Sequence, residues 1–319
     1  MPSFLDAQIR HARHYQDVLV QANAHYLRGK ESSPRGLELF HTEWMNIQTA
    51  QSWCEKQSDK NKLTAKLCSE YPSAGAHLLD FLQPPRERIH WLEAALAAAR
   101  YLNDRVSEAR HLGNLGLTYE YLGDYQRGIE YSEQSLRLWQ GLQNRVGECQ
   151  VLGNIGLAYA NWGKTRQALK YYRQQLRLAR ELKDRISEGN ALTNSGLACL
   201  RLGKTRRAIV LFNSDLRIAR ETGNLQYEAD ALSNLGKAFL FAQQAETAND
   251  FFKQALEIAR TIGDRRVEAM TLWRMSLLQE HIGRREQATN YAESALIIFE
   301  QLEAPELDAI RKQIAAWRK

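Results

Sequence analysis

What this 319-residue sequence lacks narrows the field before any motif is sought. No apolar run approaches the ~18 residues of a membrane span, and the opening MPSFLDAQIRHARHYQ has no apolar core of a secretory signal. A cytoplasmic chain with no membrane partner is therefore expected. The four cysteines, Cys54, Cys68, Cys149 and Cys199, are scattered without a C-x-x-C pair or framework spacing, which fits a reducing compartment. Cys149 and Cys199 fall inside helical patterns and read as small packing residues. Neither sign of charge dominates: 43 Lys and Arg against 37 Asp and Glu leave +6, a mild bias that favours acidic partners weakly. With 44% hydrophobic and 25% charged residues, the composition is that of a folded protein rather than a disordered one.

Catalytic signatures are missing as well. There is no H-E-x-x-H and no G-x-S-x-G, and no acid, base and nucleophile fall into register, so no enzyme, no cofactor and no metal are expected. His11 and His14 stand three apart on a helical pattern without a third ligand nearby, which reads as a partly exposed pair. NWGKT at 161–165 resembles the end of a phosphate-binding loop, G-x-x-x-x-G-K-[ST], in Gly163, Lys164 and Thr165. The first glycine would fall at Ala158, however, and the preceding GNIGLAYA is helical in character. The letters return as RLGKT at 201–205, while YLGDY at 121–125 keeps only the Gly. What recurs is a turn.

What is present is a repeat. Written in rows of forty, VSEARHLGNLGLTYEYLGDYQRGIEYSEQSLRLWQGLQNR (106–145) aligns with VGECQVLGNIGLAYANWGKTRQALKYYRQQLRLARELKDR (146–185), and further rows begin at 186, 226 and, more divergent, 266. Columns are nearly fixed: Glu108, Glu148, Glu188, Glu228 and Glu268; Leu112, Leu152, Leu192, Leu232 and Leu272; Gly116, Gly156, Gly196 and Gly236; Leu136, Leu176, Leu216, Leu256 and Leu296. Each row carries two apolar stripes with a break at Gly123, Gly163, Gly203 or Gly283 and a polar link such as KDR at its end. That is a helix, a tight turn and a helix. The column Gly128, Ala168, Ala208, Ala248 and Ala288 lets the second helix approach the first, and Tyr172, Phe212 and Phe252, one turn on, fill the space beyond. The Glu108 column falls in the first turn of each first helix, where a carboxylate meets the helix dipole. One hairpin cannot bury such stripes alone, so neighbours must stack.

The row 83–105 aligns with the second half of a repeat, Leu96 in the Leu136 column and Arg105 in the Arg145 column. The expected organisation is an N-terminal helical segment over 1–62, with helices at about 5–28 and 36–56 split by GKESSPRG. An array over 63–302 follows, in rows 63–105, 106–145, 146–185, 186–225, 226–265 and 266–302. A capping helix over 303–319 ends the chain, with Pro305 at its start and Trp317 near its end.

Leu112, Leu115, Gly116, Tyr119, the small residue at 128 and the aromatic in the 132 column resemble the tetratricopeptide repeat, in the forty-residue form of kinesin light chain and many bacterial regulators. The resemblance implies an all-α, right-handed solenoid of about six helix-turn-helix repeats. The string Glu43, Asn46, Ala50 and Trp53 resembles the segment that precedes the repeats in STAND-type signalling NTPases; the nucleotide-binding module is not in this sequence, so any switching would come from a partner such as a separate signalling or effector subunit.

Stacked hairpins turn a column of the first helix into a row along a concave groove. The informative column is Asn114, Asn154, Asn194, Asn234 and then Arg274. An Asn amide offers an acceptor and donors, so it pairs with extended backbone whatever the sequence. The column resembles the asparagine ladder of kinesin light chain and the clamp Asn of chaperone-binding tetratricopeptide domains, which implies peptide binding. The alternative is that these amides cap or bridge neighbouring helices. Groove-facing positions around the ladder should include Arg110, Leu117, Tyr121, Gln150, Leu157, Asn161, Asn190, Leu197, Arg201, Lys237, Phe241, Trp273 and Leu277. This mixed apolar lining suits a ligand with apolar side chains of its own.

Arg127, Lys164, Arg166, Lys204, Arg206, Arg207, Arg284 and Arg285 fall in the turns and should form a basic rim. A solvated rim is one reading; contact with an acidic protein or a phosphate backbone is the other. Few aromatics interleave with these charges, which disfavours single-strand stacking and leaves nucleic acid as the less favoured partner. The sequence points to a non-catalytic adaptor or sensor that binds a peptide or protein segment in the groove. The alternatives are a small-molecule-sensing array and a nucleic-acid or acidic-partner adaptor using the rim.

Overall fold

The structure, a computed structural model, describes residues 3–28, 32–302 and 307–317, and every regular element among them is an α-helix. The chain forms two compact units, Met1–Trp162 and Gly163–Lys319.

The first unit opens with α1 (Phe4–Leu27) and α2 (Ser33–Gln57), packed side by side. A capping box starts α1: the Asp6 N–H donates to Ser3 Oγ at 3.1 Å, and the Ser3 N–H donates to the Asp6 carboxylate at 3.0 Å. α2 begins three residues before the expected 36, because Pro34 stands in its first turn, where the missing N–H costs nothing. Gly36 lets α2 approach α1 closely; a Cβ there would lie 2.6 Å from the Ala22 carbonyl oxygen. The string Glu43, Asn46, Ala50 and Trp53 lies on α2, with Ala50 buried, Trp53 packed on the same core and the Asn46 amide donating to Glu43 at 2.8 Å.

The unit continues with α3 (Lys62–Ala74), α4 (Ala76–Leu82), α5 (Pro85–Tyr101), α6 (Arg105–Tyr121), α7 (Tyr125–Gly141) and α8 (Arg145–Asn161). Helices α3 and α4 divide at Gly75, where a Cβ would strike Leu19 at 2.5 Å, while Pro72 removes one N–H from the end of α3. Phe40, Trp44 and Trp91 stack in series at 4.7 and 5.5 Å, and the buried Tyr71 donates its hydroxyl to the Ala12 carbonyl at 2.7 Å. Burial pushes the Cys54 and Cys68 thiols up to about 12, so both are inert core residues; Cys149 and Cys199 are buried too.

The second unit runs α9 (Thr165–Leu182), α10 (Arg185–Arg201), α11 (Thr205–Glu221), α12 (Leu225–Phe241), α13 (Ala245–Ile262), α14 (Arg265–His281), α15 (Arg285–Gln301) and α16 (Leu307–Trp317). Each packs on the next, and the first helices also meet, α10 with α12 and α12 with α14. The glycine and aromatic columns explain the hairpins. A Cβ on Gly196 would lie 2.4 Å from the Phe212 ring, and one on Gly236 would lie 2.5 Å from the Phe252 ring, so each ring seats where a side chain is missing. Ile310, Ile314 and Trp317 of α16 are buried against the last hairpin. Pro305 lies outside the described residues.

The turns share one construction. At the link before α10, Lys183 takes the left-handed conformation (φ 56°) and the Asp184 N–H donates to the Ala179 carbonyl at 2.9 Å, closing α9. The Asp184 carboxylate then accepts from the Ile186 and Ser187 N–H groups and opens α10. Gly163 (φ 80°) is likewise a left-handed turn residue, and Lys164 stands at the N-cap of α9. The NWGKT stretch is thus a helix end, a turn and a helix start, not a strand leading to a phosphate loop.

The fixed Glu column does more than meet the helix dipole. Glu188 accepts from Arg180 at 2.9 Å and from Arg185 at 2.8 Å, tying the end of α9 to the start of α10. Glu108 is held in the same way by Arg100 and Arg105, and Glu268 by Arg260 and Arg265. Burial alone would raise Glu108 and Glu188, but the guanidinium hydrogen bonds outweigh it and hold both carboxyls below their ordinary 4.5.

Candidate functional site

In the second unit the forty-residue offset places like positions of α10, α12 and α14 side by side. Asn190, Thr193 and Leu197 of α10, Tyr227, Asp230 and Asn234 of α12, and Arg266, Met270 and Arg274 of α14 line one cavity of about 490 Å³, walled also by Asp215, Ile218 and Thr222 of α11. The three- and four-residue spacings keep each trio on one helix face.

The charges in this cavity are unusual for their burial. Burial pushes the Asp215 carboxyl up to about 6, against the pull of a hydrogen bond from the Thr193 hydroxyl and with a further push from Asp230. Gly189 leaves room for it; a Cβ there would lie 2.9 Å from Asp215 Oδ1. Asp230 is also raised by burial, although Arg266 donates to it at 3.2 Å and Arg274 lies nearby. Burial lowers the half-buried Arg274 to about 10; its guanidinium donates to Ser233 Oγ at 2.7 Å, and that hydroxyl shares a 3.0 Å bond with Thr271. Lys237, one turn beyond Asn234, is lowered to about 8 by burial and then by Arg274 and Arg201. Two carboxyls held toward their neutral form thus share the cavity lining with Arg266 and Arg274, while Lys237 lies outside that lining.

Of the positions expected from sequence, Asn190, Leu197, Asn234 and Arg274 line this cavity. Asn194 is partly buried on α10; Arg201 and Phe241 are exposed at the ends of α10 and α12. Trp273 stacks on Trp317 of α16, with ring centroids 6.1 Å apart. In the first unit Asn114 and Asn154 are partly buried, Arg110, Gln150 and Leu157 are exposed, and the Asn161 amide donates to Glu120 at 2.9 Å. Leu117 and Tyr121 line a different cavity at the α4–α5 corner. Among the described residues, the side chains of Asn114, Asn154, Asn190, Asn194 and Asn234 make no hydrogen bond within the protein. Asp215, Asp230, Thr193 and Arg266 were missed by the sequence reading. The signal for Asp215 was available: its column reads Ser135, Gln175, Asp215, Ala255 and Ala295, one carboxylate among small or neutral residues.

The basic residues sit at hairpin turns. Lys164, Lys204 and Arg284 occupy the N-caps of α9, α11 and α15 without a side-chain cap bond, followed by exposed Arg166, Arg206, Arg207 and Arg285. Arg127 pairs with Asp124 at 3.4 Å and lies over the Tyr119 ring at 5.7 Å. Among the described residues, no group of three or more His, Cys, Asp or Glu is placed to hold a metal ion, and no helix is long and apolar enough to cross a membrane. His11 and His14 each meet Tyr15 edge-on, at 4.8 and 5.0 Å.

The family model described as Tetratricopeptide repeat matches residues 105–181, 147–221, 187–261 and 227–301. No curated protein matches the chain significantly in sequence. Solved structures of similar fold include a STAND protein with a tetratricopeptide repeat sensor, PH0952 from Pyrococcus horikoshii, with 17% identity and a TM-score of 0.63 over 99% of this chain and 50% of that one. NprR in complex with its cognate peptide NprX has 16% identity and a TM-score of 0.59, over 88% of this chain and 84% of that one. The repeats of a kinesin-light-chain-type protein from Podosopora anserina have 16% identity and a TM-score of 0.51, over 61% of this chain and 95% of that one. The resemblances drawn from the repeat columns and from the α2 string both hold at the level of fold.

Proposed function

The chain belongs to the tetratricopeptide repeat family, and on that premise we propose that it is a non-catalytic adaptor or sensor. It holds a peptide or protein segment against its first helices, anchored in the cavity among α10, α11, α12 and α14. The observation that carries this reading is the convergence there of Asn190, Asn234 and Arg274 with the Asp215 and Asp230 carboxyls. The two amides supply donors and acceptors to an extended backbone. The carboxyls receive a cationic side chain or amino terminus, Arg274 and Lys237 receive a carboxylate, and Leu197, Met270 and Ile218 accept an apolar side chain. NprR, a neighbour in fold, holds its peptide NprX. PH0952 carries its repeats as the sensor of a signalling ATPase, and this chain would report occupancy to a separate signalling subunit in the same manner.

The test is selection from a displayed random-peptide library on the wild type and on Asn190→Ala/Asn234→Ala, with helicity followed by circular dichroism. Peptides enriched by the wild type should lose about tenfold or more in affinity on the double variant at unchanged helicity. Equal affinity on both proteins would sink the reading. A second reading, a small-molecule sensor, is favoured by the cavity volume, which lies within the ~300–1,000 Å³ of small-ligand sites. It predicts that a low-molecular-weight cell extract raises the melting temperature of the wild type but not of Arg274→Met.

A further inference from the structure

The first unit holds a second cavity, of about 430 Å³, at the corner between α4 and α5 where the chain passes Gln83, Pro84 and Pro85. Its wall toward solvent is apolar: Phe81 is 70% exposed and Tyr121 82%, with Leu117 beside them. Apolar side chains exposed together around one cavity mark a contact surface. Gln83 and Arg88 also line it, and both are more than nine-tenths buried. Arg88 Nη2 pairs with Asp80, whose side chain is largely exposed. Arg88 Nη1 and both amide atoms of Gln83 are buried with no hydrogen-bond partner in the protein among the described residues.

Three unpaired polar atoms on two neighbouring lining residues are costly and call for a partner. Their chemistry is specific: two donors, Arg88 Nη1 and Gln83 Nε2, and one acceptor, Gln83 Oε1. A carbonyl oxygen has two lone pairs for the donors, and one N–H satisfies the acceptor. A secondary amide supplies both. The Arg88–Asp80 pair is already neutral, so an added carboxylate would bring an unbalanced charge against Asp80, whereas an amide adds none. We propose that this cavity binds a neutral secondary amide flanked by apolar groups, with Gln83 and Arg88 holding the amide and Phe81, Leu117 and Tyr121 holding the apolar flanks. Such a group belongs either to a peptide segment with apolar residues or to a free N-acyl compound. The site shares no residue with the cavity of the second unit, so it stands or falls separately from the groove reading.

The probes are N-acetyl-leucine N-methylamide, its analogue N-methylated at both amides, which lacks both N–H donors, N-acetyl-leucine with its free carboxylate, and acetyl-Leu-Leu-Leu N-methylamide. Each is titrated into the full chain by calorimetry and followed by thermal shift. The amide should bind saturably, and the N-methylated analogue and the carboxylate should each bind about tenfold more weakly or worse. Tripeptide affinity at least about tenfold above the single residue identifies a peptide segment; equal affinity identifies a free N-acyl ligand. Gln83→Leu should melt at or above the wild-type temperature, because it removes unpaired buried atoms, and should lose the amide. Tyr121→Ala, an exposed position, should weaken the amide several-fold with no change in melting. Arg206→Gln, at an exposed hairpin turn of the second unit, should leave it untouched. No saturable heat with any probe, a preference for the carboxylate, or unchanged binding in Gln83→Leu would each overturn the proposal.

Discussion

At Asp184 the chain passes from one hairpin to the next, and at Lys204 it turns within a hairpin; the backbone does the same thing in both places. A left-handed residue precedes each, Lys183 at φ 56° and Gly203 at φ 70°, and the next N–H reaches back to close the helix, to Ala179 at 2.9 Å and to Cys199 at 2.8 Å. The side chains differ. Asp104, Asn144, Asp184, Asn224 and Asp264 all cap the helix after a link, whereas Lys204, Gln244 and Arg284 offer no cap bond after their turns, and Asp124 does provide one. Links also carry the Arg–Glu clamps. In the α10–α11 and α12–α13 hairpins, whose turns offer no cap bond, the ring of Phe212 or Phe252 packs over its glycine and joins the two helices. Local hydrogen bonding therefore concentrates where packing between hairpins needs help, and the hairpin turn keeps its cations for solvent or a partner.

The contrast breaks most visibly at the clamp. Glu188→Gln should cost about 1–3 kcal/mol in urea unfolding, below the full cost of a buried pair because both guanidiniums stay partly exposed. Arg206→Gln, at an exposed hairpin turn, should change stability by less than about 0.5 kcal/mol. Asp184→Ala should cost about 1 kcal/mol, while Lys204→Asp, which installs a cap and a charge suited to the dipole, should gain about 0.5–1 kcal/mol. If the basic turn is a contact surface rather than a solvated one, Lys204→Asp will weaken partner binding even as it stabilises the fold. Gln243 takes the left-handed conformation (φ 61°) where the other hairpin turns use glycine, and Gln243→Gly should gain about 0.5 kcal/mol.

The smallest effects are in pH dependence, and they run in opposite directions. The contribution of Glu188 is full above its ordinary 4.5 and is lost as pH falls through its lower folded value, so Glu188→Gln should flatten the acid side of the stability profile. Asp215 contributes fully below its ordinary 3.8 and loses that contribution as pH rises through about 6, so Asp215→Asn should remove the decline between those values. Peptides that place a cation on Asp215 should bind the wild type more tightly at pH 7 than at pH 5, and the difference should vanish in Asp215→Asn.

The repeat, its turns and its packing columns were legible because each recurs; the chain supplied several copies of Gly196 facing Phe212, and the comparison of copies isolated the rule. The link clamps were half legible. The Glu column stood out, but its partners Arg180 and Arg185 lie on two different helices, and only the fold brings them together. The cavity was read in Leu197 and Asn234, which repeat, in Asn190, and in Arg274, which ends the Asn column; it was overlooked in Asp215, which departs from its column, and in Asp230, which shares the variable column of Asn190. A functional residue in a repeat is a departure from its column, so periodicity finds the scaffold and overlooks the exception. The start of α2 was misplaced because Pro34 reads as a breaker, although in a first turn proline costs nothing.

In each link a single residue, such as Asp184, both closes one helix and opens the next, which leaves no slack between them. One residue inserted into the first turn of α10 would rotate Asn190 by about 100° about the helix axis relative to that turn and carry it off the cavity face. Such a chain tolerates little trimming or padding at these joints, and it can lengthen without losing its reading frame only by copying whole forty-residue units. Its ligand contacts can diversify residue by residue, but its length can change only in quanta.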